Sequence, residues 1–119
     1  MIVGLGLDLV ELSRIKVAAT NPRFILRILT PAERELANST AFLAGRWAAK
    51  EAVVKAVGLG LHWQEIEILP DELGIPRVTI HSSKFDCGRL RILISITHER
   101  THAAAVAILE RIIYQAPKV

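Results

Sequence analysis

The chain has 119 residues, 51% of them hydrophobic and 23% charged, with a formal net charge of +3. This length bounds it to one domain, residues 1–119, and this hydrophobicity excludes a disordered chain. The small positive excess suits an acidic partner or a phosphorylated ligand without requiring either, and a lone cysteine, Cys87, excludes an internal disulfide and points to the cytoplasm.

Residues 2–7 read as a strand running into Asp8, with Gly4 and Gly6 on one face and Val3, Leu5 and Leu7 on the other. Glycines on one face admit a close neighbour, and a tightly packed helix is the expected one. Asp8 interrupts the apolar run, so the segment does not read as a secretory signal. Ser13 is a possible N-cap for a short helix over 14–19. A second helix is expected over 21–29, with Asn21 as cap and Pro22 at its first position. Thr30, Pro31 and Glu33 form the best local start signal, a capping box opening a helix over 31–37.

The stretch "RWAAKEAVVKAVGLG", 46–60, reads as a tightly packed helix. Gly45, Ala48, Ala49, Ala52, Val53 and Ala56 share a face of small residues, and Trp47 and Val54 make a second apolar strip. Arg46 and Lys50 lie on one side of that strip, Glu51 and Lys55 on the other. Gly58 stops the helix, and a plain solvent-facing role is expected for Lys50.

The second half reads as strands over 63–69, 77–81, 91–97 and 101–110, with Ile66, Ile68, Val78, Ile80, Ile92, Ile94 and Ile96 inward. A turn cluster lies at 70–76, an irregular loop at 81–89 and a tight turn at 98–100. The tail, residues 117–119, reads as frayed. Helices first and antiparallel strands after indicate an α+β fold. No uncharged apolar run approaches the roughly 20 residues of a membrane helix.

Asp8 and Glu51 would make a hard-cation site if the fold brings them together, since Mg²⁺ takes one or two carboxylates plus waters and substrate phosphates. Taken singly, Asp8 reads as a solvated strand end and Glu51 as a helical pair with Lys55. Arg46, Lys50 and Lys55, with Gly58 and Gly60, offer charge and open backbone to phosphates, but the spacing is not a P-loop. His98 and His102 flank a hairpin turn, a setting unsuited to zinc. Arg14, Lys16, Arg23 and Arg27, with Phe24 among them, form a basic face suited to nucleic acid, to an acidic helix or simply to solvent.

Three blocks in order, "GLGLDLVELSRI" (4–15), "FLAGRWAAKEAVVKAVGLGL" (42–61) and "SITHERTHAAAVAI" (95–108), resemble the holo-[acyl-carrier-protein] synthases, the short 4′-phosphopantetheinyl transferases. "RILTPAE" (27–33) and "EIEILPDELGIPRV" (65–78) are similar to the family as well. The resemblance implies the 4′-phosphopantetheinyl transferase fold. It also implies transfer of the phosphopantetheine arm of coenzyme A to a serine of apo acyl carrier protein, releasing adenosine 3′,5′-bisphosphate, in fatty acid synthesis. By the same resemblance Asp8 and Glu51 would hold Mg²⁺, and Glu51, directly or through a metal-bound water, would take the serine proton. Lys55 is a third catalytic candidate. Arg46, Lys55, Gly58, Gly60, Thr97 and His98 would bind coenzyme A. Arg14, Arg23, Phe24 and Arg27 would dock the acidic carrier. The family implies a homotrimer with sites between subunits, and neither a membrane nor a nucleic acid as partner. A small basic binding module without catalysis is the alternative from another class. Against it stand the two carboxylates, which would repel phosphates without a metal. A scaffold derived from a synthase that has lost activity is a third reading, with no missing motif residue to support it. The chain departs from the family pattern at Trp47, Val57, Leu59 and Ile75, in a short segment between Glu35 and Phe42, and in the loop 81–90.

Overall fold

The computed structural model describes residues 1–113, so the frayed tail expected at 117–119 lies outside the described residues. The fold is α+β, as expected. Strand β1 (Ile2–Glu11) leads into helices α1 (Leu12–Ala18), α2 (Pro22–Ile28), α3 (Pro31–Leu36) and α4 (Thr40–Val57). After a 3₁₀ turn at Trp63–Glu65 come β2 (Ile66–Pro70), β3 (Pro76–Ile80), β4 (Leu90–His98) and β5 (His102–Arg111). Two antiparallel sheets result, β1-β5-β4 and β2-β3. The first and last strands therefore pair, and the N-terminal strand joins the C-terminal hairpin.

Several local expectations shift. Helix α1 starts two residues before the expected position, and its cap is Glu11, not Ser13. Strand β1 continues three residues beyond Asp8, so this carboxylate sits within a paired strand opposite Ala105 and is not a strand end. The segment at 63–65 is helical, so β2 is shorter than the alternation suggests. The caps by Asn21 and Thr30 hold, with Glu33 completing the capping box, and Gly58 ends α4 at φ +73°.

Helix α4 lies across the inner face of the three-stranded sheet. Ala44, Ala48, Ala49, Ala52 and Val53 are fully buried against Ala103, Ala105 and Ala107. Gly4 and Gly6 make the close approach possible: a Cβ on Gly4 would sit 2.1 Å from the Ala56 carbonyl oxygen, and one on Gly6 1.8 Å from that of Ala52. Two strand residues advance about 6.7 Å and four helical residues about 6 Å, so the two elements stay nearly in step. Two residues beyond Gly6, Asp8 consequently meets the turn of α4 that carries Glu51.

Lys50 does not face solvent. Its side chain is 0% exposed, as is that of Glu33. The ammonium donates to Glu33 Oε1 at 2.6 Å, the Ile28 carbonyl at 2.6 Å and the Trp63 carbonyl at 2.9 Å. All three donors are thus used, the condition under which a buried ammonium is tolerated. Glu33 also accepts from the backbone N–H groups of Thr30 and Ile68, tying α3 to α4 and β2.

The outer face of the three-stranded sheet is apolar and open: Leu5, Leu7 and Leu9 are 66%, 64% and 66% exposed. No helix among the described residues is long and apolar enough to cross a membrane.

Candidate functional site

The charges of α4 divide to two sides, as the helical spacing predicts. On one side a cleft of about 380 Å³ is lined by Asp8, Glu51 and Lys55, with Arg14, Phe24 and Trp47 around them. Asp8 comes from the middle of β1, Glu51 and Lys55 from consecutive turns of α4, and Arg14 from α1. Trp47 in its lining is stacked on Trp63 at 4.6 Å between ring centres and tilted against Phe24 at 5.6 Å.

Lys55 reaches across to β1. Its ammonium donates to the Leu7 carbonyl at 2.9 Å and to Asp8 Oδ1 at 3.2 Å. The helical Glu51–Lys55 pair is not formed within 4 Å; the lysine has moved to Asp8 instead. Burial pushes the Glu51 carboxyl above its ordinary range, the neighbouring Asp8 charge pushes it further, and Lys55 opposes. Asp8 and Glu51 line the same partly buried cleft, 17% exposure for the Asp8 side chain, close enough for the Asp8 charge to act on Glu51, and together offer an all-oxygen donor pair. This donor set fits Mg²⁺, which is satisfied by two carboxylates when phosphates and waters complete its shell.

On the other side of α4, Arg46 and His98 line a second cleft of about 390 Å³ with Phe42, Gly45 and Ile96. The tip of the β2–β3 hairpin, Pro70, Gly74 and Pro76, closes it. The Arg46 guanidinium stacks over Phe42 at 4.4 Å, and its Nε lies 4.0 Å from Glu33 Oε2. Burial pushes its pKa down and the Glu33 charge opposes that.

The expected cofactor residues are thus not gathered in one place within a single protomer. Arg46 and His98 share the second cleft, while Lys55 lies in the first. Thr97 is in neither; it pairs with Ala104 on the outer face of the sheet. Gly58 and Gly60 follow Lys55 at the end of α4, with open space where a Cβ would stand. Arg23, Phe24 and Arg27 line a shallow groove beside the Asp8 cleft, with Val17 and Ala18. Sequence reasoning missed the hairpin wall and Glu33. The first was present in the "LPDELGIP" block, and the second in the capping box, where it was read as a local device only.

Residues 4–107 match the model of the 4′-phosphopantetheinyl transferase superfamily. A holo-[acyl-carrier-protein] synthase of an Exiguobacterium species is 46% identical, over 92% of this chain and 93% of the relative. The crystal structure of the Bacillus anthracis holo-(acyl-carrier-protein) synthase in complex with CoA (3′,5′-ADP) superposes with a TM-score of 0.79 at 36% identity, covering 92% of this chain and 96% of that one. That of the Helicobacter pylori enzyme in complex with coenzyme A gives 0.80 at 32% identity, covering 89% and 99%. The chain belongs to the 4′-phosphopantetheinyl transferase superfamily, among the holo-[acyl-carrier-protein] synthases.

Proposed function

We infer that the chain is a transferase that moves 4′-phosphopantetheine from coenzyme A to a serine of apo acyl carrier protein, acting as one domain in the cytoplasm for fatty acid synthesis. The observation that carries this reading is the cleft that joins Asp8, Glu51 and Lys55 beside a basic, partly apolar groove. Relatives of the same fold hold coenzyme A.

In the reaction the serine Oγ attacks the phosphorus that carries the pantetheine arm. The bond to the bridging oxygen breaks, and adenosine 3′,5′-bisphosphate leaves. Glu51 accepts the serine proton, directly or through a water. Asp8 and Glu51 would hold Mg²⁺, which when bound supplies charge neutralisation on the pyrophosphate. Lys55, half-exposed and already bonded to Asp8, places a cation beside the leaving phosphate. Arg46 and His98 bind the phosphates of the nucleotide end, and Gly58, Gly60 and Thr97 complete the cofactor path. Arg14, Arg23, Phe24 and Arg27 receive the acidic carrier, chiefly setting its on-rate.

The active assembly is a homotrimer. Leu5, Leu7 and Leu9 give each chain an apolar sheet face to cover, and the split between the two clefts is resolved when a neighbour's cleft faces the first. Incubation with Mg²⁺, coenzyme A and apo carrier tests the activity: the carrier gains the phosphopantetheine mass on one serine, and no gain on any carrier tested, from an intact assembly, contradicts it.

A further inference from the structure

Glu33 lies outside both clefts, yet its buried carboxylate is the counter-charge for both cations on one side of α4. Its Oε1 accepts from Lys50 Nζ at 2.6 Å and from Thr30 N at 2.8 Å. Its Oε2 accepts from Ile68 N at 3.0 Å and faces Arg46 Nε at 4.0 Å. That Nε is the buried side-chain nitrogen without a hydrogen-bond partner among the described residues. A guanidinium has five donors in a rigid plane, so an electrostatic pull on its Nε edge biases where the other edge points. Here the inner edge turns to Glu33, one face lies on Phe42, and the rest lines the cleft shared with His98.

We propose that Glu33 is a positioning residue for cofactor binding: by drawing the Arg46 Nε edge inward, it presents the terminal nitrogens to a phosphate in the His98 cleft. This rests on the assignment of Arg46 to coenzyme A phosphates. The sign of one effect separates positioning from simple electrostatics. Glu33 is an anion close to an anion site, so by Coulomb's law alone its neutralisation tightens phosphate binding. If it positions Arg46, neutralisation weakens binding.

The experiment is isothermal titration of adenosine 3′,5′-bisphosphate into the full-length assembled protein. Glu33→Gln is combined with Lys50→Met so that no uncompensated ammonium is buried. Lys50→Met alone, which keeps Glu33 and Arg46, is the reference against which the double variant is read, so that the loss of the Lys50 charge is common to both. The double variant binds about tenfold more weakly or worse, the effect of losing a charge-assisted contact. Arg46→Lys also loses affinity, because one ammonium cannot serve both Glu33 and the phosphate, and adding it to the double variant causes little further loss. Unchanged or tighter binding by the double variant overturns the proposal, as does wild-type affinity in Arg46→Lys. A merely structural Glu33 would lower the melting temperature and leave the affinity of the folded protein intact. If the double variant does not fold, the Arg46→Lys comparison decides. Absence of binding by the wild type, to the bisphosphate and to coenzyme A alike, overturns instead the assignment on which the proposal rests.

Discussion

Lys55 donates to Asp8 Oδ1 at 3.2 Å, across the gap between α4 and β1, and leaves Glu51, one turn away on its own helix, outside ion-pair distance. The strand carboxylate therefore has a cation and the helix carboxylate does not. The two carboxylates are therefore not equivalent: Asp8 has Lys55 as its counter-cation, while burial and the Asp8 charge raise the proton affinity of Glu51.

A pH dependence follows. The folded-state pKa of Glu51 is above its unfolded value, so the native state holds the proton more tightly. Its contribution is fully present below the ordinary carboxylate pKa of 4.5 and is lost as pH rises through the raised value. Without Mg²⁺, Glu51→Gln is expected to melt higher than the wild type near neutral pH and to converge with it near pH 4.5 and below. Calorimetric scans of both proteins across that range check this, and a constant difference at every pH would refute it.

The glycines of β1 differ sharply from Gly60 in what they tolerate. Gly6→Ala drives a methyl group into the Ala52 carbonyl and is expected to destabilise the fold by about 3 kcal/mol. Gly60→Ala meets nothing within 4 Å and is expected to leave the melting temperature unchanged, so any loss of transfer in that variant reports on the cofactor path. Urea denaturation of the two variants measures the contrast.

Carrier docking should be separable from chemistry. Arg14→Ala, at the rim of the Asp8 cleft, is expected to raise KM for the carrier several-fold with kcat nearly kept, and the effect should shrink as salt increases. Steady-state kinetics at low and high ionic strength provide the measurement. A fall in kcat that salt does not alter would place Arg14 in the chemical step instead.

Assembly is expected to depend on the outer sheet face. Leu7→Asp places a charge at the centre of the Leu5–Leu7–Leu9 stripe and should convert the proposed trimer to monomers, as read by light scattering after gel filtration. The same variant should lose transfer, since neither cleft of one protomer holds the whole set of groups. A trimeric, fully active Leu7→Asp protein would contradict this.

Much of this was legible in the sequence because the signals are local. Side-chain period separated Arg46 and Lys50 from Glu51 and Lys55, and the Thr30–Glu33 capping box marked a helix start that the fold uses unchanged. What was not legible depends on distant segments meeting. Lys50 looks like a solvent charge until Glu33, seventeen residues earlier, is folded onto it. Asp8 looks like a strand end because its partner, Ala105, lies almost at the other end of the chain. The pairing of Lys55 with Asp8 over Glu51 is likewise a tertiary choice, made by the close contact that Gly4 and Gly6 allow.

The central claim is that Asp8 and Glu51 together carry the transfer. The most direct measurement is the rate of phosphopantetheine addition to apo acyl carrier protein, followed by mass spectrometry, for the wild type, Asp8→Asn and Glu51→Gln at saturating Mg²⁺ and coenzyme A. Circular dichroism and light scattering confirm that each variant is folded and assembled. The expected result is transfer by the wild type and a loss of at least about 100-fold in each variant, as for removal of a base or a charge-stabilising group. Near-wild-type transfer by either folded variant would contradict the claim.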